Sequence, residues 1–360
     1  MIHLIRSFAA AFLLMAGLVL LAEPAAAASC YYHSQDASYV CDSDPAPSIF
    51  IEPQQFPDSP LDRASYARLK DFTNVYPEPT TAVAPARNVG DGFLFVTVQA
   101  VEEHNGETWF MINLNEWVRE EDLILVDDSN FTGFEIHAQP ERSFGWMVVD
   151  FWFSDKPGDE PALGALKLPR YTFFEVFDVV EADDGWLWYD IGNGRWMNQK
   201  HVSLIDISPR PEEIGEDEYW VEVDLYEQTF AAYEGDQMVY AGLVSSGLNR
   251  WPTYEGLFQV WDRQTRTKMS GAEGKVDYYY IEDVPHTMYF DDEIALHGAF
   301  WHDRFGFKHS HGCVNMPPRA AEWVFNWSTE SPTDLWVWVH TSEPKHLLQK
   351  YDPQESFAGP

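Results

Sequence analysis

The stretch IALHGAFWHDRFGFKHSHGCVNMPP, residues 294–318, gathers His297, His302, His309 and His311 around Cys313. A cysteine thiol has an ordinary pKa of about 8.5, so little of it is thiolate at neutral pH. A neighbouring imidazole that takes the proton turns it into a nucleophile for acyl transfer. Gly312, just before the thiol, lets the backbone turn sharply with no Cβ in the way. The N–H groups of Gly312 and Cys313 could then face a developing oxyanion. Two histidines can serve as the base. His311 is two residues from Cys313 and shares its face in an extended chain, whereas His297 ends a separate strand, EIALHG. A zinc set of these histidines with Cys313 fits poorly, because the spacing matches neither an H-E-x-x-H helix nor paired C-x-x-C knuckles.

The elements that must hold this group are short strands and one helix. Val221, Val223 and Leu225 alternate with Glu222, Asp224 and Tyr226, which predicts a half-buried strand. Glu234-Gly235-Asp236 predicts a hairpin turn, with Val239 to Gly247 returning. Leu335, Val337 and Val339 alternate in the same way near the end. Pro317 and Pro318 suit a first helical turn, and Ala320, Trp323, Val324 and Trp327 follow at helical spacing up to Ser331-Pro332. Cys313 is therefore expected at a strand-to-helix junction, where the helix dipole favours a thiolate.

His297-Gly298 followed by Ser310-His311-Gly312-Cys313-Val314-Asn315 resembles the signature of the L,D-transpeptidase (YkuD-type) catalytic domain. The resemblance runs over residues 218–341. It includes VDLYEQTFAAYEGDQMVYAGLVSSG (223–247), similar to the family's opening hairpin, and WPTYEGLFQVW (251–261). It implies Cys313 as the acyl-accepting nucleophile and His297 as the general base, oriented by the carbonyl of Gly298. Ser310 and His311 would shape the nucleophile loop, Gly312 and Cys313 would form the oxyanion hole, Asn315 would support the pocket, and His302 would line the groove. Residues 262–285 would lie over that groove. The implied reaction forms a Cys313 thioester with a peptidoglycan tetrapeptide stem and passes the acyl group to an amine, giving 3-3 cross-links in cell wall biogenesis. It needs no metal and no cofactor. With water as acceptor the enzyme would be an L,D-carboxypeptidase, and a non-catalytic wall-binding protein is a further alternative. A stem-cutting cysteine peptidase fits less well, since such enzymes place the cysteine upstream of the histidine. Two positions depart from the family: Tyr254 stands where proline is usual, and Pro285-His286-Thr287 replaces a Pro-Trp.

Upstream lies an internal repeat. Residues 95–127 align without a gap with residues 174–206, pairing Phe95 with Phe174, Gly106 with Gly185, Trp109 with Trp188 and Trp117 with Trp196. Alternating runs broken at Asn105-Gly106 and Asp184-Gly185 predict hairpins. The two copies resemble bacterial SH3-like domains, over residues 64–128 and 143–207, which would contact cell wall or act as spacers. The expected fold class is thus mainly β: two small SH3-like barrels, then an L,D-transpeptidase-type β-sandwich at 218–341 with a short helix after the catalytic cysteine.

Residues 1–28 read as an export signal, with Arg6, an apolar run from Phe8 to Ala22, and small residues before Ser29. Export would place the protein in the cell wall, the periplasm or the extracellular space. Residues 29–63 form a proline-rich segment and 342–360 a tail. In an oxidising compartment Cys30 and Cys41 could form a disulfide, leaving Cys313 as the working thiol. Lipidation of Cys30 is the alternative. The net charge of −35 is spread along the chain and excludes nucleic acid as a partner.

Overall fold

A computed structural model describes residues 30–33, 38–41, 51–52, 65–127, 129–161, 164–183, 185–271, 273–274 and 278–342. Residues 1–28, expected to be an export signal, and most of the tail lie outside the described residues. The backbone strands Cys30–His33 and Ser38–Cys41 pair with Cys30 opposite Cys41, but their side chains are outside the description, so the disulfide stays an expectation. Among the described residues no helix is long and apolar enough to cross a membrane.

Residues 218–341 contribute nine strands: β1 Tyr219–Asp224, β2 Thr229–Glu234, β3 Gln237–Leu243, β4 Gly256–Gln259, β5 Asp262–Gly271, β6 Tyr279–Asp291, β7 Ile294–Gly298, β8 Val314–Met316 and β9 Trp336–His340. The one α-helix, α1, spans Pro318–Trp327. One sheet runs β4-β9-β1-β2-β3 and continues into Phe134–Ile136. The other runs β6-β7-β8, with β5 folded back on β6, and continues from β6 into Phe93–Val98, Ser65–Leu69 and Leu123–Leu125. Between the sheets and α1 lies a core of Val221, Val223, Phe230, Leu296, Val314, Met316, Ala320 and Val324. The β2–β3 turn works because Gly235 sits at φ +55, where a Cβ would meet the carbonyl of Glu216.

The half-buried reading of β1 needs correction. Glu222 and Asp224 are buried, because the end of the second repeat covers their face of the sheet. The strand Val202–Ile205 sits there, with Leu204 N–H donating to Glu227 and Thr229 donating to the carbonyl of Leu204. Glu222 is satisfied by Ser208, Tyr233 and His340, and Asp224 accepts from the N–H groups of Tyr226, Glu227 and Ser342. Alternation along one strand reports only that two faces differ; it does not report what arrives from elsewhere.

The internal repeat is visible in the elements. A three-stranded meander, Ala100–His104, Glu107–Asn113 and Glu116–Arg119, is followed by a 3-10 turn at Glu120–Asp122. Its counterpart, Asp178–Glu181, Leu187–Asp190 and Trp196–Asn198, is followed by a 3-10 turn at Gln199–His201. Asn105 and Gly106 take φ +53 and +82, as a tight hairpin turn demands. The strands of each copy divide among three sheets, and no closed barrel forms among the described residues.

Candidate active site

Strands β7 and β8 pair in parallel, Leu296 with Val314, His297 with Asn315 and Gly298 with Met316. The pleat sends Leu296 and Val314 into the core and leaves His297 and Asn315 together on the opposite face. Cys313 lies two residues before Asn315, in the bend that leads into β8. The thiol therefore precedes a three-residue strand, and α1 begins only at Pro318. This corrects the strand-to-helix expectation: β8 and Pro317 stand between Cys313 and the first turn of α1.

His297 is 2% exposed. Its Nδ1 lies 3.3 Å from the carbonyl of Gly298 and must carry the proton to donate to it, which leaves the Nε2 lone pair as the base. Burial, partly offset by that carbonyl, brings its pKa down to about 4. The thiol is half-buried and donates to the carbonyl of Glu293 over 3.7 Å. Burial pushes its pKa up to about 11; the N–H of Ala295 works against this and the Glu293 carboxylate adds to it. The resting pair is thus neutral thiol and neutral imidazole, with the sulfur drawn along β7 towards Glu293.

The loop before Cys313 is held from three sides. Ser310 Oγ donates to the carbonyl of Cys313 and accepts the N–H of Gly312 over 3.1 Å. That N–H, one of the two expected oxyanion donors, is therefore occupied in this state. Gly312 sits at φ +124, and a Cβ there would meet nothing closer than 3.7 Å, so conformation and not space requires glycine. Thr253 Oγ1 donates to the carbonyl of Gly312 over 2.6 Å and accepts from the N–H of Gly247 over 2.9 Å. His311 lies against Trp251, with ring centroids 3.8 Å apart, and against Tyr279 at 5.0 Å.

His302 and Asn315 meet behind the site. His302 Nδ1 accepts the N–H of Arg304 over 3.1 Å, so its Nε2 carries the proton of the neutral ring. The Asn315 carboxamide, 2.8 Å from that Nε2, must present its oxygen there. Burial, then His309, hold His302 well below its ordinary pKa, and burial holds His309 at about 4. His302 is therefore joined to the β8 support, and its ring is 4.3 Å from that of His309. Of the two departures, Tyr254 is exposed, while His286 is buried against Phe325.

Four neighbours escaped the sequence reading: Trp251, Thr253, Tyr279 and Glu293. Trp251 and Thr253 lie in the segment 251–261 that resembles the family, and Tyr279 in the segment expected over the groove, but nothing in their spacing says that they reach the loop around Gly312. Glu293, an exposed carboxylate beside a thiol, has no motif at all.

Residues 218–339 match the YkuD family, the L,D-transpeptidase catalytic domain. The putative L,D-transpeptidase YciB of Bacillus subtilis (strain 168) is 29% identical over 119 residues, which cover 29% of this chain and 59% of that protein. The Ldtfm-avibactam carbamoyl enzyme is 29% identical over 36% of this chain and 51% of its own, with a TM-score of 0.32. The NMR structure of the catalytic domain of the E. faecium L,D-transpeptidase is 28% identical over 35% of this chain and 98% of its own, with a TM-score of 0.30. The chain thus spans only part of the length of the first two relatives. Cys313, His297 and their supports all fall inside the YkuD match, whereas both repeats lie outside it.

Proposed function

We propose that the protein is an exported L,D-transpeptidase acting on peptidoglycan stem peptides. The observation that supports the reading is the parallel β7–β8 pair inside the YkuD match, in which His297 is registered with Asn315, two residues after Cys313, and its Nδ1 lies on the carbonyl of Gly298. The first step needs a turn of the Cys313 side chain away from Glu293. The thiol proton then passes to His297 Nε2 as sulfur attacks the amide carbon after the third stem residue. The new C–S bond forms, the C–N bond breaks, and the terminal D-amino acid leaves with the proton held by His297. An acceptor amine then attacks the thioester, its proton going to His297, and releases the thiol with a new amide. Burial of both groups keeps the resting site uncharged, so charge develops only when the substrate supplies a carbonyl to receive it.

In this reading residues 1–28 direct export to the cell wall, periplasm or extracellular space, Cys30 and Cys41 pair there, and the SH3-like repeats contact the wall or act as spacers. The acceptor is the side-chain amine of a second stem, giving 3-3 cross-links, and water is the competing acceptor. Intact-mass measurement of residues 29–360 after incubation with disaccharide-tetrapeptide tests this. A tripeptide adduct on Cys313 and dimeric products are expected, both lost in Cys313→Ala and His297→Ala. Shortened stems without dimers would favour the carboxypeptidase, and an unmodified Cys313 would sink both.

A further inference from the structure

The first repeat does not stand apart from the site. Its strand Phe93–Val98 pairs in parallel with the start of β6, Phe93 with Tyr279, Leu94 with Tyr280 and Phe95 with Ile281. Tyr279 is the residue whose ring lies 5.0 Å from His311 in the nucleophile loop. Four residues further along β6, Asp283 sits at φ +49, a conformation that non-glycine residues hold only when their surroundings fix it. Two residues of the repeat supply that fixing. Tyr66 OH donates to the carbonyl of Asp283 over 3.0 Å, and Thr97 Oγ1 donates to its carboxylate over 2.9 Å. Thr97 N–H also donates to Glu282 over 3.0 Å.

The same Tyr66 reaches the base from the other side. Its ring stacks on Phe300 at 3.8 Å, Phe300 meets Trp301 edge-on at 5.1 Å, and Trp301 lies 5.6 Å from His297. Tyr66, Phe95, Ile281, Val284 and Phe300 form one buried cluster, with Tyr279 and Trp301 packed against it. Both walls of the site therefore rest on one buried tyrosine of the repeat.

We propose that the first repeat is a built part of the catalytic site, with Tyr66 and Thr97 as positioning residues that set Tyr279 against His311 and Trp301 against His297. This rests on the acyl-transfer reading for its substrate, though not for its geometry. A repeat that served only as a spacer would not need to bond a strained residue in the strand that covers the nucleophile loop. The two repeats would then differ in role despite a shared origin, the first serving the site and the second packing behind the other sheet.

The test is the full chain with Tyr66→Phe, Thr97→Val and the two combined, with Thr97→Ser as the conservative rescue and Lys167→Ala in the second repeat as control. Two readouts are taken: the second-order rate of Cys313 alkylation by iodoacetamide across pH, and kcat and KM for disaccharide-tetrapeptide. A misplacement of the walls by a fraction of an ångström is expected to change the alkylation rate and kcat/KM by about threefold or more in the double variant. Thr97→Ser should restore both, and Lys167→Ala should leave them unchanged. Alkylation and KM unmoved in the double variant would overturn the proposal. So would a lowered melting temperature with an unchanged alkylation profile, because the contacts would then serve stability alone. Alkylation needs no wall substrate, so an unsubstituted protein that alkylates normally but transfers nothing would sink the acyl-transfer reading and leave this one standing.

Discussion

At Cys313 the surroundings work against the charge that its chemistry needs. Burial, and to a lesser extent the Glu293 carboxylate, push the thiol pKa up to about 11. The native state therefore holds this proton more tightly than the unfolded chain does. That contribution to stability is present below pH 9 and is lost as pH climbs through 11. Alkylation of the resting protein should accelerate with a midpoint near pH 11, and Glu293→Gln should move the midpoint down, because it removes the negative charge and leaves the backbone in place. A midpoint already near 7 would mean a preformed thiolate–imidazolium pair and would refute the neutral resting state. Thr253 permits a second test. It is buried, and its hydroxyl serves two backbone groups of the site. Thr253→Val keeps the shape, leaves both groups unpaired, and should cost about 1–3 kcal/mol of stability by chemical denaturation. Thr253→Ser should recover most of that, and equal losses in the two variants would place the effect in packing.

At the level of elements, the site hangs on a seam between the two sheets. The segment after β3 exchanges backbone bonds between Ser245 and Asn315 of β8, and the carbonyl of Ser246 accepts the N–H groups of His309 and Ser310. Gln228, in the β1–β2 turn at φ +57, holds Ser246 with both ends of its carboxamide, over 2.7 and 2.8 Å. Gln228→Leu should strand the buried Ser246 N–H, cost about 1–3 kcal/mol, and lower acyl transfer while the cysteine stays titratable. Activity and stability both unchanged would show that the seam is redundant. Nothing in the sequence marks Gln228, whereas β1, β9 and α1 were legible from their periodicities. The difference is physical. Period 2 and period 3.6 report local burial, and the Ser310–Asn315 motif with His297-Gly298 reports chemistry that few other arrangements need. The bonds of Gln228, Thr253 and Tyr66 cross between segments far apart in sequence, and their types are ordinary for exposed polar residues. The burial of Glu222 was hidden for the same reason, since its cover comes from the second repeat. Three residues of strand, Val314-Asn315-Met316, intervene between thiol and helix, and so short a stretch before two prolines does not reveal itself as a strand.

For the whole molecule, two opposing effects decide the response to acid. The net charge of −35 at pH 7 makes the compact state repel itself, and protonating carboxylates relieves that strain. Against this stand His201, His297 and His309, held by burial at about 4 instead of 6.5. A group whose folded pKa is depressed contributes stability above its unfolded value, and this is lost as pH falls through 6.5 towards 4. Salt separates the two effects. At physiological ionic strength the screening length is about 8 Å, which weakens repulsion between surface carboxylates but hardly touches the cost of charging a buried imidazole. Added salt at pH 7 should therefore raise the urea midpoint. Lowering the pH from 7 to 5 in that same salt should reduce it, because the repulsion has already been screened and the cost of charging three buried imidazoles outweighs the gain at His340, whose pKa is raised by its bond to Glu222. His297→Gln should flatten the acid fall without altering the salt response. A midpoint that rises steadily from pH 7 to 5 in high salt would show that these histidines are not held neutral. The uncharged resting site would then lose its physical basis.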